Sequence, residues 1–483
     1  MSLAIFLLHK NKIFQRKEDY LIMQNKNAIE EISKLELKKE ASIGQDYVDN
    51  KLIYGVKIND VNYILTSNKE FVRLEDFEKE LGIKPRHTEV ELSRIEPSTI
   101  INFAKNENNN YLSPEDLFIL IKLNIKEYVF FEDEKNYDVL ALWIILSYCY
   151  TLFTHVPYLH LKGDKGAGKS TLLSILKNTC FNATMWSSMT EAVIFRYIDV
   201  SNATLLLDEV EDLKNPKNKG LIGILNAGFN KEGTVPRTKM TKNSEKVIQY
   251  NAYSMKAIAG INDIPNVLKD RCINIQMAKK PKSVKLSKYI NTSKEIEEKN
   301  NIIIQNLYIF ALLYCNDIYK IYENMEIDLP ECLSSRDIDI YLPLFCIAKF
   351  IDKNSLNINI EKSLYEYAEN MSMQRNKQDI EENLSYKLIS DLYIMIKENN
   401  VKPYMNNLYI NNNIYSYLNY SCDYNFNTIT SLTKAMNNLQ IEHRRITING
   451  NKITCYIITI EQLEKLIDSY NITIPESMNN INV

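Results

Sequence analysis

The chain lacks most of the features that assign a protein to a class directly. Its 483 residues include eight cysteines, but none forms a CxxC pair and none has a histidine at zinc-finger spacing. This pattern favours reduced, buried thiols in a cytosolic protein. The net charge is −3, so no overall basic field indicates a nucleic-acid partner, and any such contact must come from local patches. No internal repeat is visible.

Long apolar runs are also missing. The most apolar stretch, VLALWIILSYCYTLF at 139–153, contains Ser, Thr and two Tyr, and it is shorter than the ~18 apolar residues of a membrane-spanning helix. The apolar start LAIFLL lacks the length and the small-residue cleavage site of a signal peptide. The sequence therefore predicts a buried helix at 139–153 and a cytoplasmic protein without a membrane partner.

Glycine is scarce, yet three of the 12 glycines lie in the short loop GDKGAGKST. Gly163, Gly168, Lys169 and Ser170 match the phosphate-loop pattern G-x-x-x-x-G-K-[ST] in full. Its backbone N–H groups surround phosphate oxygens, the lysine reaches the terminal phosphates, and the serine hydroxyl is a Mg²⁺ ligand. We predict that ATP binds the whole loop: Gly163, Asp164, Lys165, Gly166, Ala167, Gly168, Lys169, Ser170 and Thr171. The alternative is a glycine turn that fits the pattern by chance.

The segment ATLLLDEVEDL combines an apolar strand with acidic residues. A buried strand would deliver Asp208 to the edge of a sheet, where it can hold Mg²⁺ through water, and Glu209 could then polarise the attacking water. Taken alone, the segment also fits a solvated acidic turn. A glutamate directly after the aspartate argues against a small-molecule kinase, in which a water-activating base would waste ATP.

Short apolar runs alternate with helical patterns from about 158 to 278, which predicts a parallel sheet covered by helices on both faces. The candidate strands are YLHLK, ATMWSS, ATLLLD, KAIAGI and CINIQM. Before them, Ser113 followed by Pro114 predicts the start of a helix. Residues 1–105 mix helical and alternating patterns, so we predict a small α+β region of unknown role there.

Two further segments make the arrangement resemble the AAA+ ATPases. KAIAGINDIP ends a strand at Asn262, where that class carries its first sensor of the lytic water. NVLKDRCINIQM places Arg271 where AAA+ helicases offer an arginine to the ATP of the neighbouring subunit. A local ion pair with Asp270 is the alternative for Arg271.

Residues 128–351 also resemble a family of helicase-like ATPases of phages, plasmids and mobile elements, related to the minichromosome maintenance and viral superfamily 3 helicases. The segments that carry this resemblance include ILNAGFNKEGTVPR, LKDRCINIQM and SSRDIDIYLPLFCIAKF. It implies an α/β AAA+ P-loop NTPase core with a helical lid, in which Arg336 is a second sensor. An ion pair of Arg336 with Asp337 or Asp339 at the helix start is equally open. The implied division is a helical lead-in at 111–157, a core at 158–280, a lid at 281–380 and a further domain at 385–475.

Two segments are candidate DNA contacts. Residues 230–253 predict a hairpin around MTKNSE, at the place where related helicases carry a hairpin that lines the pore. Its cations are Arg237, Lys239, Lys242 and Lys246. In the C-terminal segment, apolar residues at helical spacing precede two alternating runs around Asn449-Gly450, a pattern that resembles a winged helix. Its candidate phosphate contacts are Lys434, Arg444, Arg445 and Lys452. The alternative for the hairpin cations is a solvated surface, and the alternative for the C-terminal segment is a protein–protein contact.

The sequence thus predicts a hexameric ring of ATPase subunits that hydrolyses ATP with Mg²⁺ and moves single-stranded or forked DNA, in replication of a mobile element, phage or plasmid. A separate primase or initiator would be a partner, since residues 1–105 show no primase-like or nuclease signature. The main alternative is an AAA+ regulatory or defence ATPase that does not unwind DNA. A small-molecule phosphotransferase and a degenerate DNA-binding scaffold fit the intact motifs less well.

Overall fold

The structure is a computed structural model. It describes residues 39–105, 111–186, 190–208, 213–215, 218–241, 244–355, 357–382, 384–397, 408–411, 418, 429–448, 451–470 and 472. The chain divides into two compact units, Met1–Glu326 with Cys346–Ile358, and Ile327–Phe345 with Asn359–Val483. The finer division drawn from the sequence stays a prediction.

The first unit begins with a small antiparallel sheet. Its elements are β1 (Glu40–Ala41), β2 (Gln45–Val48), β3 (Lys51–Ile58), β4 (Val61–Thr66), β5 (Phe71–Arg73), α1 (Phe77–Leu81) and β6 (Lys84–Pro85). Strands β2 to β5 pair in chain order, and β1 pairs with β6 in parallel. The two-residue turns Asp49-Asn50 and Asn59-Asp60 have positive φ angles at both positions, which Asn and Asp tolerate and which suit tight hairpins.

A buried asparagine joins this sheet to the rest of the unit. Asn202 has a φ of 51° and is 2% exposed. Its Oδ1 accepts hydrogen bonds from Ser42 Oγ (2.9 Å) and the Gln45 backbone N–H (3.3 Å), and its Nδ2 donates to Tyr150 Oη at 3.2 Å. A side chain on Gly44 would overlap the Ser201 carbonyl and the Asn202 side chain, so the close approach of these segments requires glycine.

Helices lead from the small sheet into the central one. They are α2 (Pro97–Lys105), α3 (Pro114–Lys126), α4 (Lys135–Ser147) and a 3₁₀ turn, Tyr150–Leu152. Ser113 caps α3 by accepting a hydrogen bond from the Asp116 N–H, which confirms the predicted helix start. Helix α4 is buried from Tyr137 to Ser147, which confirms a buried helix for the first part of the apolar stretch at 139–153; the 3₁₀ turn forms part of the rest.

Five parallel strands form the central sheet: β7 (Tyr158–Gly163), β8 (Thr184–Trp186), β9 (Leu205–Leu207), β12 (Lys256–Gly260) and β13 (Cys272–Met277). Their spatial order is β13-β7-β12-β9-β8. Each coincides with a run predicted as a strand, and the buried residues in β7, β9 and β12 are what a parallel sheet covered by helices requires. The sheet confirms the α/β prediction for this part of the chain.

The remaining elements of this unit connect and flank the sheet. They are α5 (Lys169–Thr179), α6 (Glu191–Ser201), α7 (Lys219–Ala227), the antiparallel hairpin β10 (Thr234–Thr241) and β11 (Ser244–Asn251), α8 (Asn266–Lys269) and α9 (Lys294–Asn324). Among the described helices, α9 alone is long and apolar enough to cross a membrane. In its most apolar window 61% is buried inside the protein, as in a core helix.

The second unit combines helices with a three-stranded antiparallel sheet. Its elements include α11 (Ile360–Glu382), α12 (Leu384–Lys397), β14 (Leu408–Asn411), α13 (Ile429–Asn438), β15 (Glu442–Ile448), β16 (Asn451–Ile458) and α14 (Ile460–Ser469). Helix α10 (Ser335–Lys353) contributes residues to both units. The strands are ordered β14-β16-β15, and Leu432, Met436 and Tyr456 belong to one buried cluster. The helix and the two strands predicted at 429–458 are present, although Asn449 and Gly450 lie outside the described residues.

We expect Asn202→Ala to lower the free energy of unfolding by about 2–4 kcal/mol, because it leaves buried donors at Ser42 and Gln45 without an acceptor and places alanine in the left-handed region. Urea unfolding measures this loss. Asn59→Ala is the matched control: Asn59 also has a positive φ, 47°, but it lies exposed in a turn. It should lose about 1 kcal/mol. Equal losses in the two variants would contradict the anchoring role of Asn202.

Candidate nucleotide site

Three neighbouring strands bring the predicted site residues to one edge of the central sheet. Strand β12 pairs with β7 on one side (Gly260 opposite Lys162) and with β9 on the other (Ile258 opposite Leu207). Because all three are parallel, the segments that follow them begin at the same edge. These segments are the phosphate loop after β7, Asp208 after β9, and the turn with Asn262 after β12.

A cleft of about 500 Å³ lies at this edge. It is lined by Lys165, Gly166, Gly168, Lys169, Ser170, Thr171, Asp208, Gly260 and Ile261. The structure thus brings Asp208 to the phosphate loop, although the two are far apart in sequence. Asn262 is exposed and directly follows Ile261, while Glu209 lies outside the described residues.

The backbone of the loop needs its glycines. Gly166 and Gly168 have φ angles of 84° and 95°, which other residues adopt at a cost. Gly168 is also the N-cap residue of α5. Because glycine has no side chain, it cannot accept a hydrogen bond from the first N–H groups of the helix. Lys169 Nζ donates to the carbonyl oxygens of Gly163 and, at 3.1 Å, of Asp164. Backbone N–H groups and an ammonium are the donors that phosphate oxygens accept, and the loop contains both.

The same cleft offers oxygen ligands for a cation. Ser170 supplies a hydroxyl and Asp208 a carboxylate, which are the donor types that Mg²⁺ prefers. The described residues contain no group of three or more His, Cys, Asp or Glu side chains placed to hold a metal. This donor set fits Mg²⁺, which takes few protein ligands and completes its coordination with phosphate and water oxygens.

An ion pair that the sequence did not reveal holds the turn after β12. Lys162 Nζ, one residue before the loop, lies 2.7 Å from Asp263 Oδ1, one residue after Asn262. This hydrogen bond, together with the charges of Lys162 and Lys269, holds the pKa of Asp263 below its usual value. The pair links the phosphate-loop strand to the Asn262 turn. No local sequence pattern predicts this ion pair, because it forms only when β7 pairs with β12.

Arg271 lies at the opposite edge of the sheet. It directly precedes β13, whose first residue is paired with Tyr158 and whose last, Met277, is paired with Gly163. The strand therefore separates Arg271 from the loop by roughly 20 Å, at about 3.3 Å per residue. Its guanidinium lies 5.6 Å from the centre of the Phe229 ring, and Nη1 donates to the Val267 carbonyl.

The predicted hairpin is present as β10 and β11, and its cations lie in different surroundings. Lys239 and Lys246 are exposed and directly opposite each other. The Arg237 guanidinium lies over the Phe195 ring (4.8 Å to its centre) and 3.7 Å from a Glu191 carboxylate oxygen, so it packs the hairpin against α6. Lys242 lies outside the described residues.

A buried lysine anchors the base of this hairpin. Lys256 is fully buried, and burial lowers the pKa of its ammonium well below the usual value. Its Nζ donates to the carbonyls of Ala252 and Ser254, both at 3.0 Å, and to the Ser254 hydroxyl at 3.1 Å. It also lies 3.4 Å from the Gly228 carbonyl and 4.8 Å from the centre of the Tyr158 ring. The segments entering and leaving the hairpin are therefore joined to the start of β12.

The other predicted residues belong to the second unit. Arg336 pairs with Asp339 at 3.2 Å, the contact expected from a helix-start ion pair. Arg444 pairs with Glu442 at 2.6 Å on the surface, while Arg445 and Lys434 are exposed. The Lys452 side chain is outside the described residues. The surroundings of these five cations do not test their predicted roles, which stay predictions.

No protein-family model and no curated protein matches this chain. Among solved structures, it is similar to SCCmec type IV Cch, described as an active helicase, with 11% identity and a TM-score of 0.41 over 88% of this chain and 80% of that one. The NrS-1 C-terminal region has 14% identity and a TM-score of 0.38, over 84% and 97%. The JCV helicase has 13% identity and a TM-score of 0.24, over 44% and 62%. At such values these likenesses indicate nothing about the ligands or activity of this chain.

We expect Gly163→Ala to lower the free energy of unfolding by about 1–3 kcal/mol, because its Cβ would overlap the Met277 carbonyl across the β7–β13 ladder. Gly223→Ala is the matched control: the new methyl on α7 would meet nothing within 4 Å. The control should gain about 0.5–1 kcal/mol. Urea unfolding compares the stabilities of the two variants. A stabilised Gly163→Ala variant would show that β7 tolerates a side chain at its last residue.

Proposed function

We propose that this protein is an ATP-hydrolysing AAA+ ATPase of helicase type that uses Mg²⁺ and moves DNA. The observation that carries the proposal is the edge of the central sheet, where the phosphate loop, Asp208 and the Asn262 turn meet in one cleft. Ligands of open α/β sheets bind outside the carboxyl ends of the strands, which is where this cleft lies.

The described residues at this edge lie where their proposed roles need them, and Glu209 directly follows Asp208 in the sequence. Backbone N–H groups of residues 163–171 and the Lys169 ammonium would hold the phosphates, and Ser170 and Asp208 would hold Mg²⁺. Glu209 would accept a proton from the attacking water, which Asn262 would help to orient. Bound ATP would supply the phosphoanhydride bond whose hydrolysis releases free energy.

The position of Arg271 supports a site shared between subunits. An arginine roughly 20 Å from the loop of its own subunit cannot reach that loop, but in a ring it could face the nucleotide of a neighbour. There its charge would stabilise the transition state of phosphoryl transfer. We therefore propose a homo-oligomeric ring, with six subunits as the expected number. Arg336 would act as the second sensor from the helical lid.

DNA would be held by the hairpin. Like charges directly opposite on a hairpin are unfavourable, so a polyanion such as DNA would relieve the repulsion between Lys239 and Lys246. We further propose that α13, β15, β16 and α14 form a winged-helix-like domain, in which Lys434, Arg444 and Arg445 contact phosphates. Such a motor would act in the cytoplasm during replication of a mobile element, phage or plasmid, with a separate primase or initiator.

The first experiment tests the shared site by mixing variants. We expect Lys169→Ala to abolish nucleotide binding, whereas Glu209→Gln and Arg271→Ala should bind ATP without hydrolysing it. Because a complete site needs Lys169 from one subunit and Arg271 from another, a mixture of Lys169→Ala and Arg271→Ala proteins should recover part of the ATPase rate.

The mixture of Lys169→Ala with Glu209→Gln is the control for that experiment. Both residues are contributed by the same subunit, so every site in a mixed ring would lack either Lys169 or Glu209, and no recovery is expected. Recovery in neither mixture, together with a monomeric protein, would place hydrolysis within one subunit and contradict the ring.

The second experiment tests the DNA contact. Lys239→Ala with Lys246→Ala should lose most of the stimulation of ATPase by forked DNA and most of the unwinding of that fork, while the basal ATPase rate stays within about twofold. Lys320→Ala, an exposed lysine on α9, is the control. Stimulation by DNA without any strand separation in the wild type would favour the regulatory or defence ATPase instead.

A further inference from the structure

A lysine-rich segment follows the last strand of the central sheet. Residues 278–288, AKKPKSVKLSK, contain five lysines, and no Asp or Glu occurs between 271 and 294. All five lysines are exposed. In a chain with a net charge of −3, this segment, here called the lysine strap, is a local concentration of positive charge.

The strap is held at both ends. At its start, Met277 is paired with Gly163, the first residue of the phosphate loop. Near its end, the Ser287 N–H donates to the Glu127 carbonyl at 3.1 Å. Between them, Val284 N–H donates to the Pro281 carbonyl at 3.1 Å, and Lys280 Nζ donates to the Val284 carbonyl at 2.7 Å. The Lys280 ammonium is thus hydrogen-bonded within the strap itself.

Side chains at the start of the strap lie beside two glycines of the phosphate loop. The Met277 methyl carbon lies 3.7 Å from the position that a Cβ would take on Gly168, and Lys279 Cε lies 3.9 Å from the corresponding position on Gly166. Both glycines line the cleft. The pairing of Met277 with Gly163 therefore fixes where the strap begins, and Lys279 lies beside Gly166, one of the residues that line the cleft.

We propose that Lys279 is a further phosphate-binding residue of this cleft, which adds a second lysine charge to that of Lys169. The proposal rests on nucleotide binding at the phosphate loop as proposed above. A lysine ammonium on a flexible stem is a point charge that binds phosphate without demanding one geometry. The Cε of Lys279, which carries the ammonium, already lies near Gly166, and the exposed position of the side chain leaves the ammonium accessible to an anion.

The test compares single variants of the strap by equilibrium binding of a fluorescent (methylanthraniloyl) ADP. Lys279→Ala should raise the Kd by about threefold to tenfold, because one charge-assisted contact of a partly exposed group is lost. Its Kd should also depend less steeply on salt concentration. Lys279→Arg should stay near the wild-type value. Lys282→Ala, from the same strap, is the matched control and should not change the Kd.

Unchanged nucleotide affinity in Lys279→Ala would overturn the proposal. So would an equal loss in Lys279→Ala and Lys282→Ala, which would indicate a diffuse field of the strap. Weaker binding of single-stranded DNA with unchanged binding of the ADP probe would assign the strap to nucleic acid and also overturn it. The Lys169→Ala variant distinguishes failure of the Lys279 proposal from failure of the nucleotide site. If this variant binds the probe as the wild type does, the proposed nucleotide site itself is wrong.

Discussion

Parallel pairing of β7 with β12 and β13 is the constraint on which the candidate site depends. It places the phosphate loop, the Asn262 turn and the start of the lysine strap side by side, since each follows the carboxyl end of a neighbouring strand. Gly163 shows how tight this arrangement is, because a side chain there would overlap the Met277 carbonyl. The glycine thus serves the packing of two strands as well as the curvature of the loop.

The same pairing separates two groups of side chains along the length of a strand. Residues that could hold a nucleotide gather at the carboxyl edge of the sheet, whereas Arg271 and Lys256 lie at the amino edge. The amino edge carries its own connected cluster. Arg271 lies over Phe229, and Lys256 joins Gly228 to the segment that leaves the hairpin. Because Gly228 and Phe229 are adjacent in the chain, Arg271 packs beside the base of the hairpin.

Two buried polar side chains of the first unit, Lys256 and Asn202, keep hydrogen-bond partners, as buried polar groups generally do. Lys256 is surrounded by oxygen acceptors, and Asn202 satisfies donors from the N-terminal sheet. The contacts of Asn202 link residues 39–105 to the central sheet, with which they form one compact unit. The sequence had indicated only a small α+β region there, because hydrogen bonds between segments this far apart leave no local pattern.

Several features follow from the sequence alone. The spacing of Gly163, Gly168, Lys169 and Ser170 determined the phosphate loop, and the alternation of apolar runs with helical patterns determined a parallel sheet. Local chemistry suffices for these features, because backbone curvature, helix capping and strand burial depend on neighbours in the chain. The hairpin at 234–251 was predictable for the same reason.

Tertiary structure alone decided which of these segments meet. The strand order places β12 between β7 and β9, so Lys162 pairs with Asp263 and Asp208 joins the loop. It also distinguishes Arg237, packed on Phe195, from the exposed Lys239. Lys279 shows the point most clearly. In sequence it is one lysine among five, and only the pairing of Met277 with Gly163 brings it to the phosphate loop, because contacts between distant segments are set by the pairing of strands.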